Sequence, residues 1–224
     1  MKLHPLRNAC LAASLAMAMP CTGAEVRLAW DLPVNNVDGS ALTDLAGCRI
    51  YWGTASRVYP SSTNLPCRAD AAYGYRQYTG LSIMPYCPTG TVVRGLQEGR
   101  TYYLAGTAYN SISNESDYSE ELIVLMPDVT PPVVTGPSSL RLHASASLRA
   151  ARCPDMRGIL TAFDNVTPSG SLAWSQTVPV GSLLVPGTYT VTALVRDQAN
   201  NVTRHDVAIA VLRWKPKPPR VWTY

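Results

Sequence analysis

Histidine is scarce in this 224-residue chain, with three in all. The two beyond the N-terminal stretch, His143 and His205, stand apart from each other. Isolated imidazoles give little material for general acid–base catalysis. His205 is followed by Asp206, but neighbours on a strand point to opposite faces, so the two do not act together. The chain has no Gly-x-Ser-x-Gly, no phosphate-binding glycine loop and no His-Glu-x-x-His. It therefore reads as non-enzymatic, and no cofactor motif is present. Close Cys-x-x-Cys pairs are missing too, which leaves zinc without ligands. Charge is nearly balanced, at a formal net +4 from 19 basic and 15 acidic residues. Such a balance gives no strong field for nucleic acid or for a membrane surface.

The N-terminus is of a different kind. Lys2 and Arg7 precede an apolar run of small residues and Leu from Ala9 to Met19, then Pro20 and the small residues Thr22-Gly23-Ala24. Those parts in that order describe a secretory signal peptide over 1–24. Lipid attachment at Cys21 is the alternative, and Met19-Pro20 before it fits that chemistry poorly. Cleavage after Ala24 would leave Glu25 first and remove Lys2, Arg7, Cys10 and Cys21. No later stretch is long and apolar enough to insert into a membrane. The expected location is secreted, periplasmic or at the cell surface.

Four cysteines then remain: Cys48, Cys67, Cys87 and Cys153. An even number in an exported chain favours disulfides. Cys67 and Cys87 flank one long connection and are the expected pair. Cys48 and Cys153 either pair with each other or stay free.

Helical periodicity is nearly absent after the leader. Short runs rich in Val, Ile, Thr, Leu and Tyr recur between Gly, Pro, Asn and Asp clusters, for example Val26–Trp30, Tyr102–Tyr109, Thr188–Val195 and Val207–Leu212. This is the pattern of an all-β chain. Two successive prolines, Pro131 and Pro132, in the stretch Met126–Pro132 bar a central strand there and make a short stiff linker, 127–132. The chain thus divides into 25–126 and 133–213, each near the size of one sandwich domain. Lys215–Tyr224 reads as a basic, proline-rich tail, part of 214–224.

Residues 25–126 resemble the fibronectin type III family. Val26-Arg27-Leu28-Ala29-Trp30-Asp31 is similar to the second strand of that family, whose Trp fills the core. Gly47-Cys48-Arg49-Ile50-Tyr51-Trp52-Gly53 resembles the third. Gly95-Leu96-Gln97-Glu98-Gly99-Arg100-Thr101-Tyr102 resembles the turn into the tyrosine-corner strand. The resemblance implies that Trp30, Leu96 and Tyr102 are structural core and that the Tyr102 hydroxyl returns to upstream backbone. It also implies two departures: the first strand is missing, which opens a sheet edge, and 59–89 is an insertion. Residues 128–212 resemble the hyalin repeat, or a bacterial immunoglobulin-like domain, through Asp128–Val134, Ala162-Phe163-Asp164-Asn165-Val166, Val185–Val191 and Arg196–Asn201. Gly136 stands where that family usually has a cysteine. The two resemblances together imply tandem immunoglobulin-like β-sandwiches serving as a binding or adhesion module, with a protein or polysaccharide partner at the cell surface.

Two residue groups are candidates for a site. The insertion carries Tyr59, Tyr73, Tyr75, Tyr78 and Tyr86, whose rings could meet a partner, with Tyr73, Tyr75 and Tyr78 foremost; the alternative is that they pack the insertion onto its own sheet. Asp128, Asp164, Asp197 and Asn200 could offer oxygens to calcium, or serve only as turn residues.

Overall fold

The computed structural model describes residues 24–68, 78–79, 82–83 and 86–215. The chain divides between Pro127 and Asp128 into two compact units. The first holds β1 (Ala24–Ala29), β2 (Leu45–Gly53), β3 (Ser61–Pro66), β4 (Tyr78–Thr79), β5 (Ser82–Ile83), β6 (Gly90–Leu96), β7 (Thr101–Asn110) and β8 (Leu122–Leu125).

Alternation decides which side of each strand turns inward. On β1, Val26 and Leu28 are buried while Arg27 and Ala29 are exposed. On β2, Cys48 and Ile50 are buried and Arg49 and Tyr51 lie on the other face, half-buried. One sheet has the order β3-β2-β7-β8, and β1 pairs antiparallel with β6 in a second, two-stranded sheet. Val26, Leu28 and Val93 from one sheet meet Cys48, Ile50, Leu104 and Ala108 from the other in a single apolar cluster with Trp30, Leu96 and Tyr102. A core shared by two sheets in this way is a β-sandwich. Each buried aliphatic contributes about 1.5–3 kcal/mol relative to exposure.

The turn from β6 into β7 is closed by Tyr102, whose hydroxyl accepts a hydrogen bond from the Gln97 amide at 3.0 Å. Cys67 and Cys87 form a disulfide across a sequence separation of 20. Next to it, Arg68 and Tyr86 exchange backbone hydrogen bonds of 2.7 and 2.9 Å. Cys48 and Cys153 are free and buried.

The second unit holds β9 (Val133–Thr135), β10 (Ser139–His143), β11 (Ala151–Arg152), β12 (Thr161–Phe163), β13 (Ala173–Gln176), β14 (Leu183–Leu184), β15 (Gly187–Arg196) and β16 (Val202–Leu212), with two short 3-10 turns. Its main sheet runs β10-β16-β15-β13, with β10 parallel to β16 and the other pairs antiparallel. Val191, Ala193, Val207, Ile209 and Val211 from this sheet are covered by Ala151, Cys153, Met156, Leu160 and Leu184. The β15–β16 hairpin turns through Asn200 at φ 75, a left-handed conformation that Asn tolerates because its side chain bonds locally. The molecule is therefore all-β with immunoglobulin-like sandwich units. Among the described residues, no helix is long and apolar enough to cross a membrane.

Candidate functional site

On the outer face of the β3-β2-β7-β8 sheet is a cleft of about 490 Å³ lined by Tyr51, Arg57, Tyr59, Thr107, Glu115, Tyr118 and Glu121, among others. Its floor follows from strand parity. With Cys48 and Ile50 turned into the core, Arg49 and Tyr51 must face outward. Arg49 lies opposite Thr107 on β7, and its guanidinium sits 5.1 Å from the centroid of the Tyr109 ring.

One wall is the chain between β7 and β8, strapped onto β7 by two serines. Ser116 N–H donates to Ala108 O at 2.8 Å, and the Ala108 N–H donates to Ser116 Oγ at 3.0 Å. Ser119 and Gly106 make the same reciprocal pair, at 2.9 Å each way. The hydroxyls supply the acceptors that a regular strand would supply from its backbone. This fixes Glu115 and Tyr118 over the sheet. Glu115 accepts hydrogen bonds from Arg49, from Thr107 Oγ1 and from the Tyr51 hydroxyl, the last at 2.7 Å.

The opposite wall is the β2–β3 turn. Gly53 permits its tightness, since a Cβ there would stand 2.0 Å from Val58 O. Arg57 adopts φ 58, which costs a residue with a Cβ about 1–2 kcal/mol. Glu121 holds that conformation by accepting from Arg57 N, from the Tyr59 hydroxyl and from Ser56 Oγ, all at 2.7 Å.

Three rings complete the cleft. Tyr118 meets Tyr51 edge-on at 5.1 Å and 88°, and meets Tyr59 at 5.0 Å and 63°. Tyr51 and Tyr59 are 6.5 Å apart. Tyr118 is 51% exposed, so a large ring stands open to solvent. Burial, and then donation to Glu121, push the Tyr59 hydroxyl up to about 12. Burial, and then donation to Glu115, raise the Tyr51 hydroxyl in the same way. Both phenols thus stay protonated donors. With both carboxylates engaged by fixed donors, the cleft offers ring faces and hydroxyl oxygens.

Of the tyrosines expected in a site, Tyr59 belongs to this cleft. Tyr73 and Tyr75 lie outside the described residues, and so does the side chain of Tyr78, whose backbone is in β4. Tyr86 is 38% exposed beside the disulfide. Sequence reasoning missed Tyr51, Tyr118, Glu115 and Glu121. The signal for Tyr51 was available: it stands one residue from an inward Ile50 on a strand.

The carboxylate candidates converge in the second unit. One oxygen each from Asp128, Asp164 and Asp197 lies within 4.8 Å of the others. Asn200, in the same turn as Asp197, has its Oδ1 accepting from Arg196 at 3.5 Å.

No family model matches the chain, and no curated protein does. Among solved structures it is similar to the fibronectin(III)-like modules of Clostridium thermocellum CbhA, at 15% identity and a TM-score of 0.27 over 88% of this chain and 94% of that one. It is also similar to the twitchin kinase region from C. elegans, at 15% identity and a TM-score of 0.32 over 91% of this chain and 32% of that one. At those scores neither neighbour bears on activity.

Proposed function

We propose that the chain is a non-enzymatic, exported binding module, a fibronectin-like unit followed by a hyalin-like one, that meets a protein or polysaccharide of the cell surface. The aromatic cleft carries this reading. Three tyrosine rings, with Tyr118 edge-on to the other two and half in solvent, give large rigid contact area at little conformational cost. The disulfide supports a location outside the reducing cytoplasm.

The test is capture from the cell envelope and from a panel of insoluble polysaccharides, with Tyr118→Ala as the variant. The Tyr118 side chain is exposed, so its loss leaves the core intact. Retention of the wild type and at least about a tenfold weaker retention of Tyr118→Ala is the expected result, since truncating an aromatic anchor costs about 1.4 kcal/mol or more. Equal retention of both proteins would move the site elsewhere. Whether envelope protein or polysaccharide retains the chain decides between an adhesion module and a carbohydrate-binding accessory protein.

A second reading rests on a separate observation. In its sheet β1 pairs with β6 alone, and its other edge carries no strand among the described residues. Such an edge presents unpaired amides and carbonyls to an incoming strand. A surface assembly built by strand addition would show concentration-dependent oligomers in sedimentation. A monomer at every concentration counts against it.

A further inference from the structure

We infer that Asp128, Asp164 and Asp197 bind a calcium ion within the second unit. Three chain segments meet here: Asp128 opens the unit, Asp164 follows β12, and Asp197 stands in the β15–β16 turn. Their carboxylate oxygens lie within 4.8 Å of one another. That spacing fits inside the roughly 5 Å that separates opposite oxygens around calcium.

Asp164 supplies the observation that points to a ligand. Its Oδ1 accepts the amides of Val166 at 3.0 Å and Thr167 at 2.7 Å. Its Oδ2 is shielded from solvent and accepts no hydrogen bond. A carboxylate oxygen removed from bulk water and left without a donor is unfavourable unless a cation or an ordered water meets it, and among three neighbouring carboxylates a cation also offsets their charge. Asp197 is 4% exposed, and its two oxygens are turned toward Asn201 at 2.7 and 2.8 Å. Among the described residues no Arg or Lys forms an ion pair with Asp164 or Asp197, whereas Glu25 and Glu115 of the first unit are paired with arginines. Like charges this close, one of them on the buried Asp197, repel. A divalent ion removes that repulsion and fills the place of the missing donor. The donors are all oxygen, which selects a hard cation over zinc or copper.

Asn201 extends the arrangement, because its Nδ2 also donates to Asp128 O at 3.3 Å. The ion would therefore fix the first residue of the unit to the loop of Asp164 and to the turn of Asp197, which it already meets through Asn201.

The protein, freed of metal with a chelator, is titrated with calcium chloride by calorimetry, and thermal unfolding is followed in parallel. The expected result is one site with a dissociation constant of about 10⁻³ M or tighter and a rise of several degrees in the unfolding midpoint at saturation. Asp164→Asn keeps the Oδ1 acceptor and removes the charge, and it should weaken binding at least about tenfold. Asp206→Asn, an exposed carboxylate on β16, should bind as the wild type does. Absence of heat and of any midpoint shift up to about 10 mM calcium, well above the range of extracellular sites, overturns the inference. Equal binding by the wild type and Asp164→Asn overturns it as well. Should Asp164→Asn fail to fold, Asp197→Asn takes its place, and the wild-type titration remains decisive by itself.

Discussion

Cys48 has no solvent exposure and lies in the apolar cluster of the first unit. Burial pushes its thiol up to about 11, with the Trp30 indole opposing that shift. Burial also raises the thiol of Cys153, while Gln176 opposes it. Thiolates are the reactive form, so both cysteines should be inert in the folded protein. Alkylation at pH 8 followed by peptide mapping should find both unmodified in the native state and modified in denaturant; native labelling of Cys48 would contradict its placement. The sign of the pH effect follows from the same shift. The folded state holds the Cys48 proton more tightly than the unfolded one, so this group leaves stability unchanged below pH about 9 and lowers it between about 9 and 11. The loss approaches about 2–3 kcal/mol at full titration. At this scale the sequence was readable where parity rules. The buried and outward residues of β2 alternate as the run Cys48-Arg49-Ile50-Tyr51 implies, and Leu96 and Tyr102 lie at the turn their motif describes. It was not readable at Tyr118, because what places that ring is a contact with Tyr51 and Tyr59 more than fifty residues away in sequence.

Elements were legible when their signal was local. The β15–β16 hairpin is a pair of β-branched apolar runs around an Asp-x-x-Asn-Asn turn, and both strand and turn chemistry are written in consecutive residues. The wall of the cleft was not. The chain from Asn114 to Glu121 bonds to β7 through the hydroxyls of Ser116 and Ser119, and serines in a loop carry no periodic signal of such a partner. Gly136 is a further case. It stands where the hyalin resemblance places a cysteine, and the structure gives the backbone reason for glycine: φ is +149, and a Cβ would come within 2.5 Å of Leu160 Cδ2. Leu160 is itself buried in the core, so it has little room to give way. Gly136→Ala should therefore destabilise the second unit by about 1–3 kcal/mol through strain at a glycine-only conformation. Chemical denaturation reads this as a lower midpoint with an unchanged slope. An unchanged midpoint would mean that β9 relaxes without cost.

For the whole molecule, the decisive fact is that each unit has its own core. Residues of the first cluster run from Val26 to Met126, and those of the second from Ala144 to Val211. Each unit also carries its own constraint. The Cys67–Cys87 disulfide closes a loop in the first, and the carboxylate group gathers three segments in the second. Two separately cored units need not unfold as one. Reduction with a phosphine reductant should destabilise the first unit by about 3 kcal/mol in the chain-entropy model for a loop of this length. For a unit of about a hundred residues that lowers its midpoint by about 10 °C or more. Calcium should raise the other midpoint and leave the disulfide-bearing unit where it was. Calorimetric scans in four conditions, with reductant and calcium each present or absent, should therefore show two transitions that move independently. Their assignment has an internal check, because Gly136→Ala must shift the calcium-sensitive transition and not the reductant-sensitive one. One cooperative transition displaced by both treatments would show that the units are energetically coupled, and the cleft and the cation site would then have to be treated as parts of a single stability unit.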